Sequence, residues 1–375
     1  MTQLLNSIPV PDYIRAIAPY VPGKPVEELA REMGLDPAKI VKLASNENPL
    51  GASPKVKAAI TAQLDEITRY PDGAGFALKS KIAEKFGVSH EVIVLGNGSN
   101  DVLELATLAY LPPGASAVYA QHSFAVYMLA AQARGAKHIC VPARNYGADL
   151  DAMLAAIAPD TRIVFVANPN NPTGTMLNAS EIRRFISKCA EIAPQVLIVL
   201  DEAYTEYLTP EQRGDALALV REFPNLLVTR TLSKAYGLAA LRVGFAVCSP
   251  EVAGMLNRVR QPFNVNALAQ AAAIAALDDE DYLRRSKVAN DEGRAQLLAG
   301  FAQMNIPSIP SFGNFICAEV ATAGKSASEI NTALLKRGVI VRPVGNYGLP
   351  NHLRISIGTH AENAAFLLAL KAILA

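Results

Sequence analysis

Lys234 is the one lysine of the mostly apolar stretch "TLSKAYGLAALRVGF" (231–245), with Arg242 eight positions further on. An amine at the end of the hydrophobic run "LLVT" can be a solvent-facing charge or a nucleophile, and Lys234 alone does not decide between them. Other polar groups that follow apolar runs bear on the choice, because in an open α/β sheet the ligand crevice lies beyond the carboxyl ends of the strands. After "EVIVLG" comes "NGSND" (97–101). Gly98 lets the backbone approach a ligand there, and the Ser99 hydroxyl with the free N–H groups of a helix start forms a phosphate site, although an ordinary strand-to-helix turn reads the same way. Gly96 and Gly98 match the first two glycines of a dinucleotide fingerprint, but the third position is Asp101, whose charge repels a pyrophosphate.

After "IVFVA" comes "NPNNPTG" (168–174), a stiff turn that holds the Asn171 amide in one direction as a donor. After "VLIVL" comes "DEAY". Asp201 is either a helix cap or a partly desolvated carboxylate that needs a positive partner, and Tyr204 lies close enough to donate a phenol hydrogen bond to the same object. Thr231 and Ser233 add hydroxyls, and Arg242 adds a fixed cation suited to a bidentate phosphate contact. Together these clusters offer an amine, a buried anion, neutral donors and a phosphate cradle. Pyridoxal 5'-phosphate needs that set: an amine for its aldehyde, a carboxylate to keep its ring nitrogen protonated, donors to its phenolate oxygen and a cradle for its phosphate.

The elements that must position these groups are short apolar runs alternating with helix-like segments: "EVIVLG", "ASAVYA", "KHICVPA", "TRIVFVANP", "VLIVLDEAY", "NLLVTR" and "RVGFAVCS". Continuous runs of this kind read as strands buried on both faces of a mostly parallel, doubly wound α/β sheet. "NDVLELATLAYL" and "SEIRRFISKCAEI" carry a helical period, the second with Ser180 as its N-cap. Past about residue 285 the order becomes helix, strand "NFICAEV", helix, strands "VIVRPV" and "HLRISIG", and helix. We therefore expect a large α/β domain over 45–284 and a smaller α+β domain formed by 285–375, with the proline-rich segment 1–44 packed on it as an arm.

The 375 residues are 51% hydrophobic and 18% charged with a formal net charge of +1, a balance that excludes disordered and nucleic-acid-coating proteins and makes any anion site local. The cysteines (Cys140, Cys189, Cys248, Cys317) form no C-x-x-C pair and read as buried thiols, and the five histidines show no ligand spacing, so no metal is assigned. No segment reads as a membrane span and no secretory leader is legible, which makes a cytoplasmic protein the expectation.

In these residues the chain resembles the fold-type I aminotransferases and, among them, the histidinol-phosphate aminotransferases. The resemblance runs from "APY" and "LASNENPLG" through "RYPDG", "NPNNPTG", "DEAY" and "SKAYGLAALRVG" to "LRISIGTH". It implies that Lys234 forms the Schiff base and shuttles the proton, which requires a pKa of roughly 7 to 8 when free. It pairs Asp201 with the pyridinium, sets Tyr204 and Asn171 on the phenolate oxygen, and stacks Phe124 on the ring. Gly98, Ser99, Asn100, Thr231, Ser233 and Arg242 would hold the phosphate, together with Tyr70 of a neighbouring subunit, so that the active unit would be a homodimer. Tyr20, Arg342 and Arg354 would bind the substrate phosphate, though the two arginines read equally as surface charge on neighbouring strands.

The implied reaction is amino transfer between histidinol phosphate and 2-oxoglutarate, yielding glutamate, with no nucleic-acid or membrane partner. Gln121, His122 and Ser123 stand where the family usually has proline and threonine, and "NYGLPN" resembles a subgroup for which aromatic amino-acid transamination is the alternative. A phosphothreonine decarboxylase would share the fold. A nicotinamide oxidoreductase is disfavoured by Asp101 and by the lack of an acidic ribose contact. A regulator built on this fold would need an added DNA-binding module, for which no room precedes the motifs, which begin by about residue 43.

Overall fold

The computed structural model describes residues 8–20 and 22–375. Its strands are β1 (Val41–Lys42), β2 (Ile93–Gly96), β3 (Ser116–Ala120), β4 (Lys137–Val141), β5 (Thr161–Ala167), β6 (Leu197–Asp201), β7 (Leu226–Thr231), β8 (Gly244–Cys248), β9 (Ser308–Ile309), β10 (Phe315–Glu319), β11 (Val339–Ile340), β12 (Arg342–Pro343) and β13 (His352–Ser356). The seven apolar runs form one sheet in the order β2-β8-β7-β6-β5-β3-β4. Only β8 runs against its neighbours, so the other six strands end on the same edge.

Successive side chains of a strand point to opposite faces, and the sheet is accordingly covered twice. Val164, Ile198, Leu200 and Val228 enter one apolar cluster; Ile163, Phe165, Val199 and Leu227 enter the other. The same alternation sends Asp201 and Thr231 to the face of Val199 and Leu227, while Glu202 and Arg230 go to the opposite face.

Three readings of the sequence are corrected. β4 is an edge strand, with β3 as its strand partner, and "KHICV" is not buried on both faces; Cys140 on it is exposed while the other three thiols are buried. The helix Ala179–Ile192 is capped by Asn178, not Ser180: Asn178 and Glu181 exchange side-chain-to-backbone bonds in a capping box. "VIVRPV" does not make one strand; it divides between β11 and β12, which belong to different sheets.

The smaller sheet is antiparallel, in the order β12-β13-β10-β9, and its core includes Leu297, Phe301, Leu353, Ile355 and Phe366. β1 pairs with β11 in a separate two-stranded ladder, and the helix Val26–Met33 buries Leu29 beside Ala44 and Ile340; Leu43 and Val339 enter the core of the smaller sheet, which ties this part of the N-terminal segment to it. The helix Asp12–Arg15 instead packs against the helix Ala125–Ala133 of the large sheet. Tyr13 lies so close to Gly135 there that a Cβ would stand 3.0 Å from its ring. The helix Glu280–Gln303 runs unbroken across residue 285. Among the described residues, no helix is long and apolar enough to cross a membrane, and no group of three or more His, Cys, Asp or Glu side chains could hold a metal.

Candidate active site

A cavity of ≈ 300 Å³ opens at the shared edge of the parallel strands, between them and the smaller sheet. Of the residues expected from sequence, all but Gly98 and Tyr70 line it. Gly98 lies directly beneath: at φ +85° it leaves so little room that a Cβ would stand 2.6 Å from Nη2 of Arg242. It precedes the helix Ser99–Tyr110, whose first turn has no side-chain cap, so its N–H groups remain available to an anion. Arg242 is fixed over this turn by its hydrogen bond to the Ala239 carbonyl at 3.0 Å. Asp101 is turned aside, accepting from the Asn97 N–H and from Nδ2 of Asn264, each at 2.8 Å. Asp101 does not line the cavity.

Asp201 ends β6 and is buried. Its Oδ2 accepts from the Tyr127 hydroxyl at 2.8 Å, while its Oδ1 is buried without a hydrogen bond. Burial pushes its pKa up to about 6, and the Tyr127 bond pulls the other way. Lys234 follows β7, with Nζ donating to the Ser45 carbonyl at 3.0 Å. Burial and then the Arg354 charge push its pKa down to about 8, so the amine is largely neutral in mildly alkaline solution. Thr231 Oγ1 accepts from the Ser233 N–H at 3.1 Å, and Oγ of Ser233 accepts from Nη1 of Arg242 at 3.5 Å. Phe124 meets Tyr127 edge to face at 6.0 Å.

At the other end stand two arginines. Arg342 and Arg354 are partners on adjacent strands β12 and β13, and both are buried, which corrects the reading of them as surface charge. Arg354 donates to Oδ1 of Asn171 at 2.6 Å and to the Ala44 carbonyl at 2.7 Å, and it lies 5.4 Å from the Phe315 ring. Because Oδ1 of Asn171 is thus occupied as an acceptor, its NH₂ is the end left for the cavity. The Arg342 guanidinium lies 5.3 Å from the Tyr20 ring.

Tyr70 is not part of this cavity. It is 83% exposed and stacks on Phe263 at 4.7 Å. Sequence reasoning missed Tyr127 and the segment 44–48. Tyr127 lies three residues after Phe124, which caps the start of its helix, a spacing that could have nominated it; the carbonyl contacts of Ala44 and Ser45 leave no trace in residue type.

The arrangement fits pyridoxal 5'-phosphate. The unpartnered buried Oδ1 of Asp201 calls for a cation or an N–H donor, the glycine cradle under Arg242 suits a phosphate, and a partly neutral amine shares the same cavity.

The family profile described as "Aminotransferase class I and II" matches residues 38–370, and the chain belongs to this family. It is 58% identical to histidinol-phosphate aminotransferase 2 of Ralstonia nicotianae over 97% of each chain. It is 59% identical to the histidinol-phosphate aminotransferase of Methylobacillus flagellatus over 100% of this chain and 99% of that one. Among solved structures, the histidinol-phosphate aminotransferase of Sinorhizobium meliloti, in complex with pyridoxal-5'-phosphate, superposes with a TM-score of 0.88 at 28% identity, covering 96% of both chains.

Proposed function

We propose that the chain transfers an amino group between histidinol phosphate and 2-oxoglutarate, with pyridoxal 5'-phosphate as cofactor, in histidine biosynthesis. The observation that carries the substrate reading is the pair Arg342–Arg354. Like charges on facing strand positions destabilise a sheet, and two buried guanidinium groups at the end of the cavity away from the Arg242 cradle suit a second phosphate. The names of the curated relatives at 58% and 59% identity support the same substrate.

Bound pyridoxal phosphate supplies an aldehyde that takes up an amino group and a protonated ring that accepts the electron pair released when a C–H bond breaks. The chain's residues divide the remaining work. Oδ1 of Asp201 would hold the ring N–H, with Tyr127 fixing the carboxylate from behind. Nζ of Lys234 would hold the aldehyde carbon and, once freed and neutral, take the proton from the substrate's amine-bearing carbon. The Tyr204 hydroxyl and the Asn171 NH₂ would donate to the phenolate oxygen, and Phe124 would cover the ring. Gly98, Ser99, Asn100, Thr231, Ser233 and Arg242 would hold the cofactor phosphate; Tyr20, Arg342 and Arg354 would hold that of the substrate. A cytoplasmic homodimer, with Tyr70 reaching the neighbour's cradle, completes the reading; the exposure of Tyr70 supports it.

The test is a single half-reaction. Histidinol phosphate should bleach the visible band of the bound cofactor far faster than phenylalanine or phosphothreonine do. Bleaching by phenylalanine alone would transfer the assignment to aromatic amino acids, and carbon dioxide release from phosphothreonine would transfer it to a decarboxylase.

A further inference from the structure

The segment "ASN" (44–46), between β1 and the helix Pro54–Ala62, touches three of the proposed site groups in succession. The Ala44 carbonyl accepts from Arg354 at 2.7 Å, the Ser45 carbonyl accepts from Lys234 at 3.0 Å, and Nδ2 of Asn46 lies 2.9 Å from the Tyr204 hydroxyl. Asn46 is buried, 1% exposed, and adopts φ +53°, a left-handed conformation that asparagine tolerates better than most residues.

The hydrogen bonds around Asn46 fix which way its amide faces. The Asn46 backbone N–H donates to Oγ of Ser356 at 2.7 Å, so that hydroxyl must send its own proton elsewhere, and Oδ1 of Asn46 receives it at 3.1 Å. The Asn46 carbonyl accepts from Nδ2 of Asn314 at 2.9 Å, which holds the backbone. With Oδ1 committed to Ser356, the end that meets Tyr204 is the NH₂. Tyr204 is then an acceptor toward Asn46. A phenol has one proton, and with Asn46 donating, that proton is free to point into the cavity.

We propose that Asn46 is a positioning residue that makes Tyr204 a hydrogen-bond donor to the cofactor's phenolate oxygen, and that Ser356, on β13 two positions from Arg354, holds Asn46 in that orientation. The inference rests on the reading that pyridoxal phosphate occupies this cavity with its ring oxygen at Tyr204. It ties the strand bearing the substrate-phosphate arginine to the hydroxyl that tunes the cofactor.

The readout is the pH midpoint of the bound cofactor's colour change. Loss of the chromophore's proton leaves negative charge on the ring oxygen, and a donated hydrogen bond favours that form. Weakening the donation therefore raises the midpoint. Asn46→Gly, which suits the backbone conformation, should raise it by about half a pH unit. Asn46→Asp, nearly isosteric but offering an acceptor where the NH₂ stood, should raise it further, because the carboxylate draws the Tyr204 proton away. In a Tyr204→Phe background, itself raised, Asn46→Gly should add nothing.

An Asn46→Gly shift of equal size with and without the Tyr204 hydroxyl would overturn the proposal, as would an unchanged midpoint in Asn46→Gly and Asn46→Asp proteins that bind cofactor. No shift in Tyr204→Phe would overturn the placement of the ring oxygen as well. The two failures are therefore distinguishable. If Asn46→Gly does not fold, the Asn46→Asp comparison in the two backgrounds carries the test: a rise that persists undiminished without the hydroxyl overturns the proposal.

Discussion

With one carboxylate oxygen lacking a partner in a buried position, Asp201 holds a proton more tightly in the folded chain than in the unfolded one. The rise from 3.8 to about 6, at about 1.4 kcal/mol per pH unit, costs the folded cofactor-free chain about 3 kcal/mol once the group is ionised. The sign follows from proton binding. Between about pH 4 and 6 the folded state holds the proton that the unfolded state has lost, so stability falls as pH rises through that window. Asp201→Asn, which keeps an acceptor for Tyr127, should raise the melting temperature of the cofactor-free protein at pH 7.5 and flatten this dependence, while transamination falls by several orders of magnitude. Thermal unfolding at two pH values beside a turnover assay checks both.

Lys234 gives a second pH signature. Only the neutral amine attacks an aldehyde, so the rate at which cofactor-free protein takes up pyridoxal phosphate should climb through about pH 8, where a solvent-exposed lysine would climb near 10.4. A flat rate across this range would show that Lys234 is not the attacking amine. At this scale much of the candidate site was legible, because its groups stand at the ends of unmistakably apolar strands and chemistry requires their residue types. What was not legible is what acts through the backbone. Any residue has a carbonyl, so nothing in "ALA" or "SER" marks position 44 or 45 as a partner of Arg354 or Lys234.

Among the elements, the ends of β6 and β7 carry a structure of their own on the face away from the cavity. Arg230 donates through Nε and Nη2 to Oε2 of Glu202 at 2.9 and 2.7 Å, both side chains are buried, and the guanidinium lies 5.1 Å from the Phe86 ring. Glu206, also buried, is pushed up to about 7 by burial, with Arg230 pulling it down. Removing the cation alone strands the carboxylate, so Arg230→Met should destabilise the chain by about 3 to 5 kcal/mol, whereas Arg230→Met combined with Glu202→Leu should recover much of the loss. Urea titration measures both.

At the start of the helix Ser99–Tyr110, Gly98→Ala places a methyl against Arg242 at a positive φ. Cofactor affinity should fall about tenfold or more with little change in helix content. The strands were readable from runs such as "IVFVA" and "LIVL", whose length and β-branched content suit strands covered on both faces. The edge strand β4 was not, because "KHICV" alternates too little to announce which of its faces meets water, and neighbours in a sheet are set by topology.

For the whole molecule, the proposed homodimer makes a prediction that a monomer cannot meet. If Tyr70 serves the neighbour's cradle, Tyr70→Ala and Lys234→Ala proteins are each impaired, but a mixed dimer contains one site with an intact lysine and an intact tyrosine. Co-refolding the two variants should restore activity toward half that of the wild type in the mixed species, and no recovery on mixing would place Tyr70 outside the partner's site. The change of pattern near residue 285 made the strands of the smaller antiparallel sheet legible, but not the separate ladder of β1 with β11. The path of the N-terminal segment was not, since the few residues of Asp12–Arg15 carry no periodicity that names the helix they pack on.

The helix Glu280–Gln303 begins where the Tyr282 hydroxyl donates to the Gly51 carbonyl and ends where Leu297 and Phe301 enter the smaller core, a core whose flanking strand β11 is completed by β1 from near the other end of the chain. Neither sheet is therefore a separable segment. A gene cut at residue 285 would sever a helix and strip β11 of its strand partner β1, so the C-terminal piece expressed alone should be insoluble or protease-sensitive. On heating, the intact chain should lose the large and the smaller sheet in one cooperative transition.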